Sequence, residues 1–179
     1  MKKFLILVVL LAVVGGYFYY KNNSPSDQLT PSTTTDNSFT PDPSSATFTF
    51  DDGAITLSNG RNTLEEGGEV VLETFLLQQR DSGDVNADKK DDTVILLAQS
   101  GGASGVFIYV AGYISGPVSY KGTNAVFVGD RISPESLSIK NGVITLKYLD
   151  RRPDEPFSAE PTVETSKQFV FKNGSIEEK

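Results

Sequence analysis

From residue 46 onward, apolar and polar positions alternate in short runs separated by Gly-containing dipeptides. A period of two predicts β-strands, and the dipeptides predict tight turns between them. Residues 47–57, TFTFDDGAITL, hold two such runs around Asp52-Gly53. A two-residue loop there predicts Phe50 opposite Ile55 and Phe48 opposite Leu57, with the four apolar side chains on one face and the threonines on the other. Residues 137–146, LSIKNGVITL, pass the same test. An Asn141-Gly142 turn sets Ile139 against Ile144 and Leu137 against Leu146. Near the C-terminus, Asn173-Gly174 sets Phe171 against Ile176. The likeness of DDGAITL to NGVITL follows from shared hairpin chemistry rather than from an internal repeat.

Between the hairpins lie VVLETFLL (70–77), TVILLA (93–98), VFIYVAGYI (106–114) and AVFV (125–128). The second and third are apolar on both faces, which predicts central strands covered on both sides. VVLETFLL carries Leu72, Phe75 and Leu76 at helical spacing, but its β-branched start and its neighbours favour a strand. Gly101-Gly102-Ala103-Ser104-Gly105 joins two strands. A phosphate cradle needs a helix N-terminus after the glycines, and VFIYVAGYI is a poor helix. The expected fold is mainly β: an antiparallel β-sandwich or sheet built from hairpins, with at most one or two short helices. The roughly 134 residues from 46 to 179 can bury a core without staples.

The pattern is different before residue 46. Lys2 and Lys3 precede an unbroken apolar run, FLILVVLLAVVGGYFYY (4–20). Basic residues ahead of such a run form an export signal, with the lysines staying cytoplasmic. At 1.5 Å per residue the run spans about 25 Å, near the short end of what crosses a bilayer. Tyr17, Phe18, Tyr19 and Tyr20 followed by Lys21 match the aromatic belt of a retained anchor, and no A-x-A cleavage pattern is present. Residues 1–20 are therefore expected to be a transmembrane signal anchor, the alternative being a cleaved signal peptide. Residues 21–45 hold six Ser, five Thr and four Pro. With so little apolar surface they are expected to be a tether, reaching roughly 25–30 Å. The expected organisation is anchor (1–20), tether (21–45) and extracytoplasmic β-domain (46–179), at the cell membrane.

Composition narrows the chemistry. The chain of 179 residues has no Cys, His or Trp. Disulfides, thiol redox chemistry and imidazole catalysis are excluded, as is a lipoprotein anchor. Sixteen basic against twenty-three acidic residues give a net charge of −7, which argues against a nucleic-acid partner. Any resident metal should be a hard, oxygen-seeking cation.

One segment has the right donors. In RDSGDVNADKKDD (80–92), Asp84, Asn86, Asp88 and Asp92 occupy positions one, three, five and nine of a DxNxDxxxD pattern. Alternate residues of such a tight loop point inward, and the carbonyl at position seven, that of Lys90, adds an oxygen. The five residues predict a Ca²⁺ site of about 10⁻⁴ to 10⁻³ M affinity, useful outside the cell. Position six, ordinarily Gly, is Lys89, where a positive φ costs on the order of 1 kcal/mol. Position twelve, the bidentate Glu of an EF-hand, is Ile95. Without a cation the same residues make a solvated acidic hairpin.

The segment order GDVNADKKDDTVILLAQSGGASGVFIYVAGYI, then YKGTNAVFVGDRI, LSIKNGVITLKYLDRRPDEP and FVFKNG, resembles an uncharacterised family of exported bacterial proteins, many of them lipoproteins. That family has a GDxNxDGxxD loop followed by GGSGxFxY, GDR, IKNG and PDEP segments. The resemblance covers roughly residues 47–174 and implies an exported globular domain without assigning an activity. Where the family has Gly in its loop this chain has Lys89, and where many members have a lipobox Cys it has the apolar run.

Three weaker features complete the reading. Gly129-Asp130-Arg131 and the 150–156 segment DRRPDEP mix both charge signs and are expected to pair among themselves. Phe107, Tyr109 and Tyr113 share one strand face, which suits core packing and a sugar platform equally. Ser119-Tyr120-Lys121 lacks the Ser-x-x-Lys spacing of serine–lysine enzymes. Two readings follow. One is a membrane-tethered domain that binds an envelope component or protein partner, with Ca²⁺ as a stabiliser. The other is a carboxylate-based hydrolase of an envelope polymer, which requires two facing carboxylates in a cleft.

Overall fold

The computed structural model describes residues 40–101 and 105–179, so the expected anchor and most of the tether lie outside the described residues. Twelve strands and no helix are found among the described residues, and every strand pairing is antiparallel. The protein is mainly β, as the alternation predicts.

The central element is β5 (Asp92–Gly101), whose first eight residues are buried without exception. It lies in a six-stranded sheet in the order β3 (Arg61–Glu66), β4 (Glu69–Gly83), β5, β6 (Val106–Ile114) and β7 (Lys121–Gly122), with β8 (Val126–Asp130) also pairing with β6. A four-stranded sheet runs β12 (Ser175–Glu178), β11 (Val163–Lys172), β10 (Val143–Asp150), β9 (Ser133–Lys140). The hairpin of β1 (Thr47–Phe50) and β2 (Gly53–Thr56) stands as its own two-stranded sheet.

Successive side chains of a strand point to opposite faces, so β5 serves two cores. Val94, Leu96 and Ala98 pack with Leu137, Ile144, Leu146, Tyr148, Phe169 and Ile176 of the four-stranded sheet. Ile95 and Leu97 pack with Phe48, Phe50 and Leu57 on the other side. This explains why TVILLA is apolar throughout, and each fully buried Leu or Ile contributes about 1.5–3 kcal/mol.

Two hairpins form with the register read from the sequence. Ile139 faces Ile144 and Leu137 faces Leu146, with Asn141 at φ 52° and Gly142 at φ 73°. Phe171 faces Ile176, with Asn173 at φ 52° and Gly174 at φ 86°. The first hairpin is a correction. Its corner is Asp51-Asp52, not Asp52-Gly53, so Phe48 faces Ile55 and Phe50 faces Gly53. The positive φ falls on Gly53 at 136°, a conformation open to Gly because it has no Cβ. The register differs from the expected one by two residues, so Phe48, Phe50 and Ile55 still share a face. On the opposite face the Thr47 and Thr56 hydroxyls meet at 2.7 Å.

VVLETFLL forms part of β4, a strand of 15 residues that extends well past it. The folded part also begins ahead of residue 46. Pro41 and Pro43 are buried, Thr93 Oγ1 donates to the Pro41 carbonyl at 2.9 Å, and the Gly60 N–H donates to the Ser44 carbonyl at 2.7 Å.

Candidate functional site

Residues 84–92 connect the end of β4 to the start of β5, and their acidic side chains fold back onto their own backbone. Asp84 accepts the Asp88 N–H at 3.2 Å and the Lys89 N–H at 2.8 Å. Asn86 Oδ1 accepts the Asp88 N–H at 3.0 Å, and Asp88 Oδ1 accepts the Lys90 N–H at 2.9 Å. Short side-chain acceptors facing donors two to five residues ahead are what Asp and Asn provide in tight loops. The chain reverses through Ala87 at φ 63° and Lys89 at φ 69°. Lys89 thus adopts the left-handed conformation for which calcium loops reserve Gly.

Asp92 is different in kind. It is 0% exposed, accepts the Val85 N–H at 3.0 Å and the Ser115 N–H at 2.7 Å, and has no cationic partner among the described residues. Ser115, just beyond β6, is the residue that sequence reasoning missed. Its hydroxyl donates to Asp88 Oδ2 at 2.6 Å, while Asn86 Nδ2 donates to the Ser115 carbonyl at 3.0 Å and hydroxyl at 3.1 Å. The signal was indirect: Thr93 pairs with Tyr113, so antiparallel pairing brings the residues after Ile114 to the residues before Thr93. Tyr120 closes the far side by donating to the Asp91 carbonyl at 3.0 Å.

The electrostatics follow these contacts. The Ser115 hydroxyl, aided by the Lys90 and Asn86 contacts, holds the Asp88 carboxyl below the ordinary carboxylate value against the opposing effect of desolvation. Partial burial, and then the charges of Asp92, Asp88 and Asp91, push the Tyr120 hydroxyl upward. What is expected of Lys90 is its carbonyl. Its observed contacts are the N–H bond to Asp88, an ammonium bond to the Gly116 carbonyl at 3.3 Å, and an approach of 3.9 Å to Asp88 Oδ2. Among the described residues no three acidic side chains gather closely enough to hold a metal ion. The structure joins Asp88, Asn86 and Asp92 through Ser115 and ties Asp84 to the loop's own amides.

The mixed-charge segments pair internally. Asp130 accepts from Arg131 at 2.7 and 3.1 Å and from the Val106 N–H at 3.0 Å, and Arg131 chiefly holds the Asp130 carboxyl below its ordinary value. Arg151 donates to the Ala159 and Arg131 carbonyls at 2.5 and 2.9 Å. Arg131 also lies over the Phe157 ring, 4.4 Å from its centroid. These contacts hold the loops together and engage the guanidinium groups of Arg131 and Arg151.

Two hollows flank the acidic loop. One, of about 380 Å³, is lined by Ile114, Ser115, Val118, Lys121 and Phe171 among others. The other, of about 420 Å³, is lined by Ser45, Thr47, Thr49, Tyr113, Tyr120 and Lys121 among others. Neither has a carboxylate in its lining. Glu135 and Glu164 share a smaller hollow of about 220 Å³ with Lys147, where all three are exposed on the four-stranded sheet. Compared with family models, curated proteins and solved structures, the chain matches none.

Proposed function

We propose that this chain is a single-pass membrane protein whose β-sandwich domain stands outside the cytoplasm and binds an envelope component or protein partner, with Ca²⁺ in the 84–92 loop as a stabiliser. The N-terminal apolar run with its lysines and aromatic belt supports the placement. The resemblance to exported bacterial domains supports it as well. Hydrolysis needs a facing acid and base in a cleft; the two larger hollows have no carboxylate, and Glu135 and Glu164 lie exposed on a sheet face beside Lys147, which favours a binding role.

The observation that carries the calcium reading is Asp92. A carboxylate withdrawn completely from water is ordinarily paired or bound to metal, and among the described residues this one has backbone N–H donors only. Each carboxylate oxygen of Asp84, Asp88 and Asp92 takes part in a hydrogen bond and retains lone-pair capacity for a cation. Asp84, Asn86, Asp88 and Asp92 supply side-chain oxygens and Lys90 its carbonyl, with water completing six or seven ligands. Closing the site requires Asp88 to exchange the Ser115 hydroxyl for the cation and Lys90 to withdraw its ammonium.

The test uses the full-length protein. Fractionation and protease accessibility in intact cells should find it with membranes and cleavable from outside. Equilibrium dialysis of the detergent-solubilised chain against millimolar calcium should find about one bound ion. A soluble cytoplasmic protein refutes the placement; no retained calcium refutes the metal.

A further inference from the structure

We propose that the hollow of about 420 Å³ beside β1, β6 and β7 is a saccharide-binding subsite. A sugar has two kinds of surface: a C–H face, which packs on aromatic rings, and a rim of hydroxyls, which needs small polar partners. This hollow provides both. Tyr113 and Tyr120 line it with ring centroids 5.4 Å apart and planes inclined by 31°, forming an aromatic wall. Ser45, Thr47 and Thr49 supply three hydroxyls, and all three residues are exposed. Lys121 adds an ammonium that makes no ion pair with any carboxylate among the described residues. The volume falls in the range of about 300–1,000 Å³ typical of small-ligand sites.

The site is built by the fold rather than left over from it. β1 approaches β7 so closely at Gly122 that a Cβ there would collide with the Thr47 carbonyl. This brings the threonines of one sheet beside the tyrosine and lysine of another. The Tyr120 hydroxyl, bonded to the Asp91 carbonyl, fixes its ring and leaves stacking as its contribution. The other exposed aromatics lack this combination. Phe107 and Phe127 are tilted by 56°, Tyr109 meets Phe127 edge-on at 67°, and none of the three lines this hollow. The neighbouring hollow of about 380 Å³ has an apolar wall of Ile114, Val118 and Phe171 instead.

The inference rests on the reading of an envelope-side binding module and names its ligand class. Its test is titration of the full-length chain, in a detergent without a sugar headgroup, with glucose, N-acetylglucosamine, glucuronic acid and their β-linked tetramers. Saturation-transfer NMR and tyrosine fluorescence report binding, the latter free of tryptophan background because the chain has none. At least one tetramer should bind. Tyr113→Ala should weaken it by about tenfold and Tyr113→Phe should retain it, since the ring face carries the contact. Thr49→Leu, on an exposed position, should replace a hydroxyl with apolar bulk and weaken binding by about tenfold at an unchanged melting temperature. Absence of binding by every sugar at about 50 mM, far weaker than a functional subsite, overturns the proposal. So does binding that Thr49→Leu leaves intact. Fractionation is read separately: a protein that is envelope-bound but sugar-blind loses the subsite alone, whereas a sugar-binding cytoplasmic protein keeps the subsite and loses the placement.

Discussion

The Ser115 hydroxyl donates to Asp88 Oδ2 at 2.6 Å across 27 residues of sequence. This bond joins the acidic loop to the end of β6 and is the largest influence keeping the Asp88 carboxyl ionised. Ser115→Ala should therefore raise the Asp88 pKa toward its ordinary value and lower the stability of the domain. An NMR pH titration of the Asp88 carboxyl in wild type and variant checks both the contact and its sign. Unchanged titration would remove Ser115 from the account.

The two depressed carboxyls, Asp88 and Asp130, predict a pH dependence. A group whose folded value is lowered stabilises the fold fully above its unfolded value and loses that contribution as pH falls through the folded value. Stability from these groups should hold from neutrality to about pH 5 and fall below the ordinary carboxylate value of about 3.9. Asp130→Asn should be less stable than wild type at neutral pH, and the gap should narrow under acid. Urea unfolding at a series of pH values measures it; parallel curves would contradict the Arg131–Asp130 pairing as its cause.

Leu96 and Leu97 are adjacent, both 0% exposed, and belong to opposite cores. Truncating either to Ala should cost about 2–5 kcal/mol. If Leu97→Ala costs far less than Leu96→Ala in denaturant unfolding, the β1–β2 hairpin does not cover its face as described.

The Asn141-Gly142 turn predicts a conformational cost without a steric one. Gly142 sits at φ 73°, and an added Cβ would come no closer than 3.9 Å to its nearest neighbour, the Val85 carbonyl oxygen. Gly142→Val should lower stability by about 1 kcal/mol or more, because a β-branched residue resists positive φ. Thermal melting checks it, and an unchanged midpoint would count against the strain.

What was legible in the sequence was local. Asn-Gly turns need positive φ at both residues, and their residue types announce it, so both hairpin registers could be counted from the turn outward. The unbroken apolar run of β5 likewise reflects its own burial on two faces. The first hairpin was placed one position late because Asp52-Gly53 looks like a turn pair, whereas the corner falls on two aspartates and Gly53 opens the next strand. β3, RNTLEE, is an exposed edge strand whose charged residues carry no alternation, so nothing in its pattern marked it. Ser115 was illegible for another reason. Its partners lie 23 to 29 residues away, and strand pairing rather than spacing brings them together. The same holds for the tyrosine hollow, whose walls come from three separate strands and the residues beside them.

The central claim is that the 84–92 loop takes up Ca²⁺ despite Lys89, and thermal melting of the full-length protein with and without calcium tests it most directly. At about ten times Kd, calcium should add roughly 1.4 kcal/mol by mass action, and Mg²⁺ should act more weakly because it demands tighter geometry. Lys89→Gly should tighten binding by relieving the left-handed strain at φ 69° and removing a nearby positive charge. Asp88→Ala should abolish the effect. A melting midpoint that rises with calcium, rises further in Lys89→Gly and stays fixed in Asp88→Ala is the result the account predicts. No rise at about 10 mM calcium, above the affinity range of extracellular sites, in wild type and Lys89→Gly alike would contradict it.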